Sequence, residues 1–490
     1  MLSKLFKISI VFLLLSFSSS SKQIKNQIKD YDAFIDVLTQ KEGTLDLHIP
    51  LDSIESQLNY LKEEMKSEKT PIQLYQLFSR TTSIINCGHT QLQPTKQVIK
   101  EWIQARNSLP IDYILLGQKL FTCKIQKEDV KTISIGKTPE QVKATVPDKC
   151  EIIAIDGKTV REMMTKIGEF ISSDENGMEL KYFVAGQFFE FYRKIACQEH
   201  QDSTAAVYVH KKDTIETHLF NGFPPLKTIN KRLTDAEKQY KKNQTDIGKF
   251  DILKSKYGYF KFVSFKKCKG KLYEEFLEKS FKKLQKTKTK YLIIDVRGNG
   301  GGQMQTFLMS YLVGIGVKIG THQVTKPKKR GENRSIKKFS KEYTNHKILS
   351  FSQKLALRAN PDFDGTLKTP AIDDKLIFRG KVIVITDEGT FSASSCLASN
   401  LKALRNAKIA GHIAGGSFYT GNSGTILCIL PKSKLTLIVN PNTFHTTLEP
   451  SIDHQSVKIP DLIVDPIYPT SKKKDDWYLN KVIKLFKENF

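Results

Sequence analysis

A serine at the mouth of a helix and a run of glycines closing a strand are the residues of this chain whose types and spacing could do chemistry. Ser392 lies in Lys381-Val-Ile-Val-Ile-Thr-Asp-Glu-Gly-Thr-Phe-Ser-Ala-Ser394, and the glycines end Tyr291-Leu-Ile-Ile-Asp-Val-Arg-Gly-Asn-Gly-Gly-Gly302. Each segment is an apolar, β-branched run of buried-strand type that stops at small residues, where an amphipathic helix begins. Glycines let backbone N–H groups approach a ligand without side-chain obstruction. A helix mouth adds unpaired N–H groups and a dipole end that favours developing negative charge. A hydroxyl nucleophile on one strand end and amide donors on another are the parts that acyl transfer needs. Read alone, Ser392 is equally well an N-cap, worth only about 1 kcal/mol. The glycine block favours the nucleophile.

The elements that must position these groups divide the chain. At 490 residues it is too long for one core and suits two or three domains. With 39% hydrophobic and 10% aromatic residues it has a globular composition. Residues 1–21 read as a secretory signal peptide: Lys4 and Lys7, a short apolar core from Ile8 to Phe17, then small residues from Ser18 to Ser21. That apolar run is about half the ~20 residues a membrane-spanning helix needs, so export to a periplasmic or extracellular space is expected rather than anchoring. Residues 22–107 have helical periodicity, with Gly88 expected to mark a helix C-terminus. Residues 108–232 form a β-rich module in which a strand, the Asp156-Gly157 turn and the helix-starting Thr159-Val160 follow one another. Thr228 to Gln244 is a linker candidate. In residues 233–490 strands alternate with helices, which predicts an α/β core with largely parallel pairing.

Charge and cysteines exclude other classes. The 77 basic against 51 acidic residues give a net charge of +26, but the lysines are spread along the chain. Their densest cluster, Lys326 to Lys341, contains one aromatic, Phe339, too few for stacking bases. Nucleic-acid binding is therefore not expected, and peripheral attraction to anionic envelope surfaces is. The seven cysteines are scattered, form no CxxC pair and match no zinc spacing. Cys396 and Cys428 fall in apolar runs, as buried small hydrophobes do. Cys87, two residues before His89, raises a cysteine-nucleophile reading that lacks a helix-mouth setting.

Six segments together make the chain resemble the carboxyl-terminal processing (tail-specific) serine peptidase family, in particular its tricorn-like branch. They are Gly88-His89-Thr90; Cys150-Glu-Ile-Ile-Ala-Ile-Asp-Gly157; Asp295-Val-Arg-Gly-Asn-Gly-Gly-Gly302; Gly389-Thr-Phe-Ser-Ala-Ser394; Gly411-His-Ile-Ala-Gly-Gly-Ser-Phe-Tyr-Thr-Gly-Asn422; and Ile459-Pro-Asp-Leu-Ile-Val-Asp465. The resemblance runs from about residue 30 to the end. It implies a ClpP/crotonase-like α/β peptidase core, an N-terminal helical region and a PDZ-like module. It also implies Ser392 as nucleophile, with an oxyanion hole formed by the amide of Ala393 and that of Gly300 or Gly301.

The base is where the chain departs from the processing branch, whose lysine position corresponds to Ser417 here. The tricorn-like branch takes a histidine from the N-terminal side, and His89 fits that slot; an imidazole titrating near neutrality suits a general base. His412 is the rival. The orienting glutamate of that branch has no clear counterpart, leaving Glu449 and Asp453 as the nearest carboxylates. The expected activity is peptide-bond hydrolysis through an acyl-enzyme on peptide or protein substrates, with no metal or organic cofactor implied. The alternative is a ligand- or peptide-binding relative of the same fold with little or no turnover.

Overall fold

The computed structural model describes residues 22–39, 42, 49–104, 113–116, 118–122, 147, 149–197, 203–220, 247–254, 256–266, 270–323, 365–423, 425–440, 442–448, 453–464 and 474–489. The expected signal peptide, the linker and the Lys326–Lys341 cluster lie outside these residues.

The two apolar runs are neighbouring central strands. Tyr291–Asp295 and Lys381–Thr386 pair in parallel, Leu292 opposite Val382 and Asp295 opposite Ile385. They sit in a six-stranded sheet ordered Leu462–Ile463, Lys408–Gly411, Lys381–Thr386, Tyr291–Asp295, Tyr257–Lys261, Lys249–Leu253. All neighbours are parallel except the last pair. Alternate residues face opposite sides, so both faces need cover and the strands read as continuous apolar runs. Leu292, Ile294, Val382 and Val384 pack with residues of the helices Gly270–Lys286, Gln305–Val313 and Ala393–Arg405. Ile293, Ile383 and Ile385 pack with Tyr478, Val482 and Phe486 of the C-terminal helix Lys474–Asn489. The result is a mixed α/β fold.

The N-terminal helices share a core with the C-terminal half. Helix 22–39 and helices Leu51–Glu64 and Pro71–Ile84 contribute Phe34, Leu61 and Phe78 to a cluster that includes Leu435, Leu437 and Val439. Thr70 opens the last of these helices with a reciprocal capping box to Gln73, and Pro71 follows at the first turn. The chain then enters the short strand Gln91–Gln93, which pairs antiparallel with Thr436–Val439. This joint fixes the intervening loop, Asn86 to Thr90, relative to the central sheet.

In the β-rich module, Tyr113–Leu116, Lys119–Thr122, Glu151–Ile155, Ser203–His210 and Asp213–Phe220 form one antiparallel sheet, with Lys158–Thr159 beside Glu151–Ile155. Asp156 and Gly157 are both left-handed (φ 50° and 71°), as a two-residue hairpin turn requires. Thr159 and Glu162 then form a capping box that starts helix Val160–Gly168. Between this helix and helix Met178–Cys197 runs a polar stretch, Ser172 to Gly177. Cys396 and Cys428 are buried, as their apolar context predicts. No helix among the described residues is long and apolar enough to cross a membrane.

Candidate active site

Parallel pairing brings the ends of Tyr291–Asp295 and Lys381–Thr386 to the same edge of the sheet, where α/β folds open a crevice. The turns that follow are tied together. Phe391 N–H donates to the Asn299 carbonyl at 3.0 Å, Thr390 Oγ1 to the Val296 carbonyl at 3.0 Å, and Gly298 N–H to Asp387 Oδ1 at 2.8 Å. Beneath them Asp295 is fully buried and bonded to Arg297 and Tyr259. Burial pushes its pKa up, but the hydrogen-bonded Arg297 guanidinium and Lys261 outweigh it and hold the carboxyl below its ordinary value.

Ser392 precedes helix Ala393–Arg405 with φ 56° and ψ −124°, a strained conformation for a residue with a Cβ. Its side chain makes no cap hydrogen bond, which removes the N-cap reading. Instead Ser392 Oγ lies 2.9 Å from His89 Nε2. The neighbouring hydroxyls face elsewhere: Ser395 Oγ donates to the Thr390 carbonyl at 3.0 Å, and Ser394 is buried.

His89 arrives on the loop between helix Pro71–Ile84 and strand Gln91–Gln93. Its carbonyl accepts from Asn440 Nδ2 at 2.9 Å, and its ring lies against that of Phe391 at 4.5 Å between centroids. Nδ1 is buried without a hydrogen-bond partner. Burial lowers the imidazole pKa and the nearby charge of Asp174 opposes the shift, the net direction being down. The ring is therefore neutral at pH 7, with one nitrogen able to accept a proton. Gly88 has a different job from the one expected of it. Asn86, at φ 56°, takes the left-handed position after the helix, whereas a Cβ on Gly88 would stand 2.8 Å from Phe391 Cζ. Gly88 is small so that the His89 loop can close on the Ser392 turn.

Two of the expected oxyanion donors now differ. Gly301 N–H is already donated to Asn299 Oδ1 at 3.0 Å. Among the described residues the amides of Ala393 and Gly300 make no such bond. Gly301 serves by its missing side chain: a Cβ there, at φ 92°, would lie 2.8 Å from Ala393 N, Phe391 O and Ser392 Cβ.

The other expected residues fall away from the proton path. His412 Nδ1 pairs with Glu388 Oε1 at 2.7 Å. Ser417 Oγ donates to Glu175 and accepts from Tyr419 and Thr420 N–H, an arrangement that organises its own loop. Asp453 is exposed and accepts from Ser456 Oγ at 2.7 Å. Glu449 lies outside the described residues.

The carboxylate beside His89 is one the sequence did not single out. Asp174 is buried, with an oxygen within 4.8 Å of an imidazole nitrogen. Oδ1 accepts Gly88 N–H at 2.7 Å and Oδ2 accepts Ser417 N–H at 3.1 Å, so one side chain ties the His89 loop to the glycine-rich loop. The turn that presents it holds Glu175 and Asn176 at φ 54° and 57°, two left-handed non-glycine residues in succession. Bonds from Glu175 N–H to the Asn86 carbonyl and from Lys181 Nζ to Asn176 Oδ1 hold it there. The only signal in the sequence is a polar run, Ser172 to Asn176, between two helices that pack inward.

A separate open groove, lined by Phe281, Lys288, Lys290, Asp374, Arg379 and Lys381, lies at the opposite end of the central strands and contains none of these residues.

Comparison with known proteins follows the same lines. Residues 256–440, which include the glycine block and Ser392, match the model of peptidase family S41. No curated protein matches the chain. Among solved structures, mature CPAF complexed with lactacystin is similar at 14% identity and TM-score 0.60, over 95% of this chain and 99% of that one. Mature CPAF is similar at 15% identity and TM-score 0.58, over 95% and 98%. At such identity the likeness is one of fold. Residues 256–440, the stretch that carries the glycine block and Ser392, are thus similar to peptidase family S41.

Proposed function

We propose that the chain hydrolyses peptide bonds by acyl transfer to Ser392, with His89 as general base. The observation that carries this reading is the 2.9 Å contact between His89 Nε2 and Ser392 Oγ, two residues 303 positions apart in sequence. A neutral imidazole with its proton on Nδ1 takes the hydroxyl proton at Nε2 as Oγ attacks the carbonyl carbon. The amides of Ala393 and Gly300 receive the developing oxyanion. His89 then returns the proton to the leaving amine, and water repeats the sequence on the acyl-enzyme. Asp174 holds the His89 loop and stabilises the transient imidazolium by its charge. Asp174 supplies a carboxylate beside His89, which favours turnover over a binding relative of the same fold.

A histidine base from the N-terminal side favours the tricorn-like branch. The antiparallel module agrees with a PDZ-like role, gripping an extended chain end by strand addition. The basic, lysine-rich start followed by a short apolar run supports export to a periplasmic or extracellular space. Hydrolysis of a quenched-fluorescent peptide library by wild type, Ser392→Ala, His89→Ala and His412→Ala tests the assignment. The first two substitutions abolish turnover while His412→Ala retains it; a dead His412→Ala beside an active His89→Ala reverses the base.

A further inference from the structure

Besides the proton path, the His89 loop builds a second constellation. Cys87 Sγ, an imidazole nitrogen of His89 and a carboxylate oxygen of Asp174 all lie within 4.8 Å of one another. Cys87 is fully buried, is not in a disulfide, and stands two residues from His89 on the same loop, so both side chains move with one backbone. His89 Nδ1 is buried without a hydrogen-bond partner. Each Asp174 oxygen accepts one backbone N–H and keeps a second lone pair. We infer that Cys87, His89 and Asp174 form an inhibitory site for Zn²⁺ or a similar thiophilic divalent cation. The inference rests on the reading of His89 as the base.

The donor set is the reason for the metal class. Thiolate, neutral imidazole and carboxylate are the three side chains that bind zinc, and calcium or magnesium would want oxygens alone. Bond lengths of ~2.0–2.3 Å place tetrahedral ligand atoms roughly 3.3–3.7 Å apart. Closing from the present separations asks for side-chain shifts on the order of 1 Å, with water as the fourth ligand. The thiol gives up its proton to solvent on binding.

The consequence for catalysis follows from counting lone pairs. A neutral imidazole has one nitrogen lone pair available. A metal on Nε2 takes it directly; a metal on Nδ1 obliges Nε2 to carry the proton. In either case His89 cannot accept the Ser392 proton, so the metal-loaded enzyme is switched off and a chelator restores it.

The test uses the full chain and two readouts. Co²⁺ added to the Ser392→Ala protein gives a thiolate-to-cobalt charge-transfer band at one metal per chain, and Cys87→Ser in that background loses it. In the active enzyme Zn²⁺ inhibits turnover reversibly, and Cys87→Ser weakens that inhibition at least about tenfold, read as the ratio of rates with and without zinc. Absence of a Cys87-dependent band, or equal zinc sensitivity in both proteins, overturns the inference. Because the cobalt spectrum needs no turnover, the metal site and the peptidase reading fail independently: a band with an inactive wild type would sink the latter alone.

Discussion

Gly301→Ala is the substitution whose effect the geometry specifies most closely. The new methyl would stand 2.8 Å from Ala393 N, Phe391 O and Ser392 Cβ, all parts of the candidate site and two of them backbone. None is the end of a flexible side chain, so the Ser392 turn or the glycine turn must shift. The residue also sits at φ 92°, which costs a non-glycine residue about 1–2 kcal/mol. That strain is a modest fraction of the ~5–15 kcal/mol of a typical domain, so the protein should fold with a lowered melting temperature. The larger effect is on chemistry. Displacing the Ala393 amide from the oxyanion costs ~10²–10³ in kcat, or about 2.7–4 kcal/mol of transition-state stabilisation. KM should change little, because the amide meets charge only after attack. Gly300 makes the internal comparison: it has open space where a Cβ would go, and alanine keeps its amide, so Gly300→Ala should lose less than about tenfold. Steady-state kinetics with circular dichroism decides the matter. A folded Gly301→Ala enzyme within about tenfold of wild-type kcat would refute the close approach of these two turns as a requirement for catalysis.

Three further outcomes follow from the same geometry. Asp174→Asn replaces one acceptor by a donor facing Gly88 or Ser417 N–H, so stability should fall by about 1–3 kcal/mol and kcat by at least ~10²; unchanged melting and turnover would show that the carboxylate does neither job. Asp387 is pushed by burial from its ordinary 3.8 to about 6, against the bond from Gly298 N–H that lowers it. A raised carboxyl adds stability that is complete below the ordinary value and lost as pH rises through about 6, so the protein should lose stability between pH 4 and 7 from this group. At ~1.36 kcal/mol per pH unit the contribution is at most about 3 kcal/mol, less because the residue is partly exposed. Thermal melts of Asp387→Asn should lack that decline; parallel melts in both proteins would contradict it. Gly88→Ala places a methyl 2.8 Å from the Phe391 ring and should slow turnover by pushing the His89 loop outward, detectable as lower kcat in a protein of near-native melting temperature.

What the sequence disclosed is what neighbouring residues decide. The strands Tyr291–Asp295 and Lys381–Thr386, the helix after Ser392 and the turn at Asp156-Gly157 depend on local apolar runs, small residues and φ preferences, and each stands within a residue or two of its expected place. The placement of Ser392 at a helix mouth was legible because a strand, a small turn and a helix occur in one segment. That His89 lies beside Ser392 was legible through the resemblance alone, since nothing in Gly88-His89-Thr90 says which distant hydroxyl it will meet. Asp174 was not legible. Its importance comes from two backbone donors 86 and 243 positions away, and no periodicity marks a residue whose partners are that remote. Gly88 was misread for a related reason: a glycine after a helix suggests a terminator, while its actual constraint is the Phe391 ring, far away in sequence. The choice between Gly300 and Gly301 was open for want of one fact, the destination of the Gly301 amide.

A fluorophosphonate probe, with the modified residue located by mass spectrometry, tests the central claim most directly. The account predicts a single adduct on Ser392 in the folded wild-type protein and near-complete loss of that adduct in His89→Ala at neutral pH. An adduct elsewhere, or labelling of Ser392 at the wild-type rate without the imidazole, would contradict it.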